Sequence, residues 1–514
     1  MRKGSLFEIE DKISTKKNNK FIKKDLNCES NKSVEKEKIA TIKPFKILME
    51  TPNDKYIPMV AFVKRAFLIL NNTIEVPLIT TNSFITNNKL YLKEGNITGK
   101  IQCQWGPKCP EYYTRGCIIT GYIATFKLPS TNEFLLNNLS LNTFNNIHLT
   151  SKTFNDLYTI PLYNSFSPIT LKQTFVYKHF LAVFVQPMYY MSDFHVIIQF
   201  FEYWISQGAT KIYIARTSNT KEVETIIKWY NDNKWIETEF IEWPILPNIY
   251  RERSTLFNKY NQEFNPNLYT FQYEAILSIY DAMLYIRSLK ESKYVAVFDW
   301  DEIIVIHDNN TTNIKEFLKK NENNDYVAWS FESRRLMIKN NFSVNTLDDI
   351  SFLSYGDAIM DIKPFKRPAY QKNIYRPEFI HRFHVHLIQK TIKSKNINYV
   401  NNKIGEIYHL RRIPDIEVKF NTIRTNILQE SGQIWTQNFK MRLQIDSSIT
   451  KNKTWNNYFD KIARKLENCR QETFKENFSH KYNLCVSVEA CSKYLKLNEQ
   501  LDWITSKEKW IVIK

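Results

Sequence analysis

Glycine is scarce, with 10 in 514 residues. The glycine-rich signatures that cradle phosphates are missing with it. G-x-G-x-x-G, G-x-x-x-x-G-K-[ST] and G-x-S-x-G are all absent, which argues against a dinucleotide-binding crossover, a P-loop and a serine-hydrolase elbow. No apolar run approaches the roughly 18 residues that a membrane-spanning helix needs, and the first thirty residues contain no signal-peptide pattern. Membrane association is therefore expected only through an anchor not visible in this sequence. The seven cysteines, Cys28, Cys103, Cys109, Cys117, Cys469, Cys485 and Cys491, lack C-x-x-C spacing and nearby histidines, which excludes a cysteine-based zinc module.

What the chain does have is lysine, asparagine and isoleucine in excess, with a formal charge of +18 and a pI near 9.3. The bias is spread along the whole sequence rather than gathered into a stripe, so it reads as a solvated surface and no nucleic-acid partner is expected. The cysteines fall into two clusters. Cys103, Cys109 and Cys117 are expected to supply one local disulfide, and Cys469, Cys485 and Cys491 another, with one cysteine of each cluster left over or paired elsewhere. Such bonds belong in an oxidising compartment. Sequons at Asn71, Asn96, Asn341 and Asn477 agree with a lumenal location.

Residues 1–43 are Lys, Glu, Asn and Ser with few large apolar groups, a composition that predicts a disordered basic tail. Residues 44–170 carry short β-branched and aromatic runs between Asn-rich turns and predict a β-rich lobe. From 171 to 420 strand and helix signals alternate. "FLAVFVQPM", "KIYIA" and "WIETEFIEWP" read as strands. "DFHVIIQFFEYWISQG", with Asp193 as N-cap and Gly208 as stop, "NTKEVETIIKWYNDN" and "TFQYEAILSIYDAMLYIRSLKES" read as helices. The alternation predicts an α/β domain whose mostly parallel sheet is flanked by helices. Residues 421–514 read as a helical, Cys-containing C-terminal region, with "KTWNNYFDKIARKLENC" its best amphipathic segment.

The last strand of this series is "VAVFDWDEIIV", residues 295–305. It runs apolar into Asp299, Asp301 and Glu302. In an extended backbone Asp299 and Asp301 share a face while Trp300 points away. Two carboxylates on one face repel unless a cation is shared, and hard divalent ions such as Mn²⁺ or Mg²⁺ take oxygen ligands and complete their shell with phosphate oxygens. Ligands of parallel sheets bind at the carboxyl ends of the strands. The pattern therefore suits a metal that bridges protein to the diphosphate of a nucleotide sugar.

Four blocks, "FVQPMYYMSDFHVIIQFFEYWISQGATKIYIARTSNTKEVETIIKWY", "KYVAVFDWDEIIV", "NIYRPEFIHRFHVH" and "GEIYHLRR", together resemble glycosyltransferase family 92. The resemblance extends over about residues 44–420. It implies a GT-A-like nucleotide-sugar-binding domain and an inverting, metal-dependent transfer of a hexose, with galactose from UDP-galactose as the donor chemistry, to a glycan acceptor on a glycoprotein or glycolipid in the Golgi lumen or at its membrane. Asp299 and Asp301 match the family's metal and donor motif, and Glu302 its adjoining acid. Arg376, Pro377 and Glu378 match the Arg-Pro-Glu, His386 the following His, and His409 with Arg411 the last block. Donor binding is thus expected at Asp299, Asp301, Glu302, Arg376 and Arg411, and metal binding at Asp299, Asp301 and His386. Leu410 stands where the family usually has an aromatic, and Ala282 follows Asp281 where it tends to have Cys.

An inverting transferase needs a carboxylate to take the acceptor's proton. Glu332, Asp357 and Asp361 lie between the acidic motif and the Arg-Pro-Glu, and the sequence does not choose among them. Other readings are a catalytically idle glycan-binding relative and a two-metal nucleic-acid enzyme. The second wants a further acidic strand and a concentrated basic groove that the sequence lacks. A zinc hydrolase built on His381, His384 and His386 lacks a third well-placed ligand. Asp301→Asn is expected to fold as well as the parent or better, through relieved repulsion, and to lose nearly all activity.

Overall fold

The apolar run Leu181–Val185 forms a strand with helices on both faces, because nothing in it tolerates water. In this computed structural model it is the centre of the His179–Met188 strand, wholly buried from Leu181 to Val185. The structure describes residues 57–514 except 70–71, 105–113, 115, 129–145, 152–155, 166–175, 250–262, 309, 340–343, 345, 367–369, 389, 392–394, 414–417, 452–454, 456–457 and 479–484. The predicted tail at 1–43 lies outside the described residues, as do Cys28, Cys109, Asn71 and Asn341.

Seven strands make the central sheet, in the order Glu237–Glu242, Lys211–Arg216, His179–Met188, Ser292–Phe298, Lys372–Tyr375, Tyr326–Phe331 and Asn396–Tyr399. Numbered along the chain within this sheet they run 3-2-1-4-6-5-7. The sixth, Lys372–Tyr375, is antiparallel to both neighbours, and every other pairing is parallel. The helices fall where the sequence places them, except that the third starts only at Ala275, after Gln272–Glu274 in left-handed conformation. Phe194–Ser206 starts at Asp193, whose carboxylate accepts the Val196 amide at 3.0 Å, and stops before Gly208, whose φ is +81°. A side chain at Gly208 would meet Lys315 at 2.9 Å as well as a left-handed backbone. Thr220 caps Lys221–Asp232, and the long helix is Ala275–Leu289.

A five-stranded sheet lies beside the first, in the order Glu302–Ile306, Gly405–Ile413, Ser333–Lys339, Ala358–Asp361 and Thr422–Thr425. "VAVFDWDEIIV" is thus two strands rather than one. Ser292–Phe298 belongs to the first sheet and Glu302–Ile306 to the second, and the acids lie in the tight crossing between them. Trp300 turns inward against Phe200, with ring centroids 4.8 Å apart.

Nine strands from the residues before 170, with Ile511–Ile513 as the tenth, build a sheet around Thr73–Thr81 and Ile119–Lys127. Ile74, Val76 and Leu78 fill its own core, while Phe62, Phe67 and Ile79 join the cluster of the Ala275–Leu289 helix. Buried Glu75 crosses the same boundary, bonding the Tyr280 hydroxyl and, at 2.6 Å, Arg382. After 421 the chain is helical over Gln429–Ile445, Tyr458–Phe478 and Val488–Leu495. It then closes with two strands. Trp503–Thr505 pairs with Ser218–Thr220, and Ile511–Ile513 adds to the edge of the first lobe beside Ala61–Val63. No helix among the described residues is long and apolar enough to cross a membrane.

Two disulfides have both cysteines among the described residues, one local and one distant. Cys469–Cys491 closes within the second cysteine cluster, as expected, and one cysteine of each cluster, Cys117 and Cys485, pairs with the other across 368 residues. Cys103 is disulfide-bonded too. The Cys117–Cys485 bond sits beside an unusual turn in which Gln272, Tyr273 and Glu274 all take left-handed φ values of 43°, 53° and 55°. Three such residues in succession are costly without glycine, and the neighbours hold them. The Gln272 amide donates to Val486 O at 3.3 Å, and the Tyr273 hydroxyl to Glu489 at 2.8 Å. Removing the bond by Cys117→Ser with Cys485→Ser is expected to cost about 2–5 kcal/mol in chemical denaturation. Non-reducing mass mapping should recover Cys117–Cys485 and Cys469–Cys491 as separate linked peptides.

Candidate functional site

Asp299 follows the last residue of Ser292–Phe298, at the carboxyl end of the parallel strands. The neighbouring strand pairs Val185 with Phe298, so Gln186 comes level with Asp299 and its amide donates to Asp299 Oδ1. On the other side the antiparallel strand pairs Asn373 with Val297, which brings Lys372 to the same end. Lys372 is wholly buried. Its Nζ lies 2.7 Å from Asp299 Oδ1 and 3.1 Å from Glu302 Oε2. The turn closes on itself, since Glu302 Oε2 accepts the Asp299 amide at 3.1 Å and the Glu302 amide donates to Asp299 O at 3.3 Å.

The Gly405–Ile413 strand supplies the rest. It pairs His409 with Glu302, and the Leu410 amide donates to Asp301 O at 2.7 Å. Alternation then sorts its side chains. His409 Nε2 is 3.2 Å from Asp301 Oδ2, and Arg411 Nη1 donates to the same oxygen. On the opposite face Arg412 pairs with Asp193, the cap of the Phe194–Ser206 helix, and Leu410 is buried in the core. The unusual Leu410 therefore faces away from the acids.

Three carboxylates meet Lys372, Arg411 and an imidazole here, and the charges shift one another. Burial alone would raise Asp301, but His409 and Arg411 outweigh it and hold the carboxyl far below the usual range. Burial would lower His409, yet Asp301 and Glu302 keep it above its ordinary value. Glu302 is raised by burial and by Asp299, against the pull of Lys372. Burial would lower Lys372, and Asp299 and Glu302 more than reverse that, so it remains a cation.

His386 adds a nitrogen. Its Nδ1 is 3.0 Å from Gln371 O, which can only accept, so Nδ1 carries the proton and Nε2 keeps its lone pair. Burial and Lys372 push it down to about 4, and Asp299 and His409 also act on it. The donor set fits a hard divalent cation. Gln186 and Lys372 reach Oδ1 of Asp299, His409 and Arg411 reach Oδ2 of Asp301, and a neutral imidazole of fixed tautomer stands by. Asp299, Asp301 and His386 are not drawn to within 4.8 Å of one another, so a cation would have to gather them.

The structure thus brings Asp299, Asp301, Glu302 and Arg411 together, sets His386 where Asp299 and His409 act on it without touching it, and leaves Arg376 out. Its strand is antiparallel to Ser292–Phe298, so three residues beyond Asn373 the chain has reached the amino end of the sheet. There Arg376 pairs with Glu378 at 3.3 Å, stacks over Phe379 and donates its amide to Val327 O. His384 and His381 do not join a three-ligand group among the described residues. Of the candidate bases, Glu332 is half-buried between two strands, and Asp357 is exposed and pairs with Arg424 at 2.7 Å. Asp361 lies on the second sheet and pairs with Arg335 at 3.2 Å. Cross-strand partners share a face, and Glu302, His409 and Arg335 are in register, with Asp361 next in that row.

Lys372 and Gln186 were missed by sequence reasoning, although Gln186 left a signal as the one amide in the apolar run "FLAVFVQPM". Tyr189 and Arg470 lie outside every motif but near enough to the acids to be influenced by them. Burial raises the Tyr189 hydroxyl, with Arg470 opposing and Glu467, Asp299 and Asp301 adding to the effect. Arg470, next to the Cys469–Cys491 bond, is held by Glu467 at 2.8 Å.

Lys372→Met is expected to lower stability by about 3–5 kcal/mol, because it leaves Asp299 and Glu302 facing each other in a buried turn. Glu302 already has a folded pKa above its unfolded value of 4.5, so stability tied to its protonation returns as pH falls toward 4.5. Urea melts at pH 8 and pH 5 check this, with a deficit expected to be smaller at pH 5.

The family model for Glycosyltransferase family 92 matches residues 179–466, more than half of the chain. No curated protein matches. Among solved structures, the crystal structure of S. aureus TarS 1-349 in complex with UDP-GlcNAc aligns at 11% identity with a TM-score of 0.22. The alignment covers 51% of this chain and 66% of that one, a likeness too loose to argue from.

Proposed function

The chain belongs to glycosyltransferase family 92, and we propose that it is an inverting, metal-dependent transferase that moves galactose from UDP-galactose to a glycan acceptor. The observation that carries the reading is the acidic turn at the carboxyl end of the parallel strands, where nucleotide ligands of such sheets bind. We read the seven-stranded sheet as a GT-A-like donor domain. Asp299, Asp301 and His386 would hold Mn²⁺ or Mg²⁺, which when bound would neutralise charge on the leaving diphosphate. Arg411 and Lys372 would add fixed positive charge at the same place. The disulfides and the sequons at Asn96 and Asn477 support a lumenal site of action in the Golgi.

For the base we favour Asp361 over Glu332 and Asp357. Glu302, His409, Arg335 and Asp361 form one row across the second sheet. At about 4.8 Å per strand the row spans roughly 14 Å. That length leaves room for a donor sugar and an acceptor hydroxyl between the diphosphate site and the carboxylate.

The test is transfer from a panel of nucleotide sugars with Mn²⁺, with chelator, and with variants. Asp301→Asn is expected to lose activity by about 100-fold or more. It is also expected to melt below the parent. That revises the sequence expectation, because Asp301 is not a lone repelling charge but the partner of His409 and Arg411. Asp361→Asn should lower kcat by about 100-fold or more with little change in KM for the donor, and Asp357→Asn should be near normal. A wild type indifferent to chelator, or inert with every nucleotide sugar, would overturn the reading.

A further inference from the structure

A second cluster of ligating side chains lies at the amino end of the same strands. His179 opens the His179–Met188 strand, Glu237 opens Glu237–Glu242, and Glu291 immediately precedes Ser292–Phe298. Backbone bonds hold the three in place: the His179 amide donates to Glu291 O at 2.9 Å, and the Glu237 amide to Thr210 O at 3.1 Å. One ligand atom from each lies within 4.8 Å of the others. The length of the Ser292–Phe298 strand, about 20 Å, separates this cluster from Asp299.

Two atoms in it have no hydrogen-bond partner. The His179 side chain is 5% exposed, and its Nε2 is buried without a hydrogen bond, 3.4 Å from Glu237 Oε2. Glu291 Oε2 is buried and unpartnered as well. Leaving such atoms unmet is costly. The other imidazole nitrogen, Nδ1, is 2.9 Å from Thr210 Oγ1. A hydroxyl there can accept the Nδ1 proton, which leaves the lone pair on Nε2, as in metal-bound histidines with an outer-shell acceptor. Burial, joined by Lys178 and Lys211 and opposed by Glu237, keeps the ring below its ordinary pKa and hence neutral.

The charges leave an opening for a cation. Lys211 bridges Glu237 Oε1 at 2.7 Å and Glu239 at 2.8 Å, and Lys178 lies 2.6 Å from Glu237 Oε2. Three carboxylates thus face two ammonium groups. Lys178 is 60% exposed and can swing aside into water. One imidazole and two carboxylates suit Zn²⁺, with water in the fourth position.

We propose that His179, Glu237 and Glu291 form a zinc site that ties together the amino ends of the central strands, remote from the acidic turn. It does not depend on the transferase reading. The full chain, stripped with chelator and dialysed against ZnCl₂, is assayed for bound zinc by elemental analysis and for thermal melting. The Asp301→Asn background removes a ligand of the acidic turn, so that zinc there is not counted. About one zinc per chain is expected to remain, with a raised melting temperature. Adding Glu291→Gln should remove both the zinc and the shift. Its side chain carries no bond to lose at Oε2, so the zinc-free melting temperature should match that of the Asp301→Asn chain. Should that variant melt early, His179→Gln reads the same loss. No retained zinc, or equal zinc after Glu291→Gln, overturns the proposal.

Discussion

Like charges brought together by a tight turn must be answered from outside it, and the buried ammonium of Lys372 answers two of the three here. Asp299, half-buried, and Glu302, wholly buried, cannot both sit beside Phe298 as carboxylates without a cation. Lys372 reaches both at 2.7 and 3.1 Å from a strand that runs against its neighbours. The reversed strand therefore has an electrostatic consequence. Had it run parallel, its first residue would have been at the far end of the sheet.

The third acid is answered from the second sheet. Asp301 takes His409 and Arg411 from one face of Gly405–Ile413, while Arg412 on the other face pairs with the cap of the Phe194–Ser206 helix. One strand thus couples the acidic turn to the helix that covers the first sheet. The arrangement explains why the crossing at Asp299–Asp301 can be tight. Its charges are balanced by residues that backbone pairing already fixes, so little side-chain freedom remains to be lost.

The fold was legible where the signal was local. Asp193 and Gly208 mark both ends of a helix because capping and left-handed φ are local chemistry. "YVAVF" declares a buried strand by composition alone. Of the candidate site only residues within motifs could be named in advance: Asp299, Asp301, Glu302 and Arg411 come together with His386 nearby, and the motif residue Arg376 stands at the other end of the strand. The failure has a physical cause. Periodicity reports that a strand exists but not its direction, and direction decides which end of "QKNIYRPE" reaches the acids. The same limit hid Lys372. Cysteine spacing likewise could suggest Cys469–Cys491 but not a bond across 368 residues.

Charge is concentrated at both ends of the central strands, and the two ends differ in how it is satisfied. At the carboxyl end each acid has protein partners, and those of Asp299 and Asp301 reach chiefly one oxygen of the carboxylate. Such groups can exchange a partner for a ligand without being left bare, as a site that binds and releases must. At the amino end Nε2 of His179 and Oε2 of Glu291 have no hydrogen bond and little water. Atoms in that state either hold something permanently or carry a standing cost. A permanently filled position suits the end where strands must stay fixed, and an exchangeable one suits the end where substrates come and go.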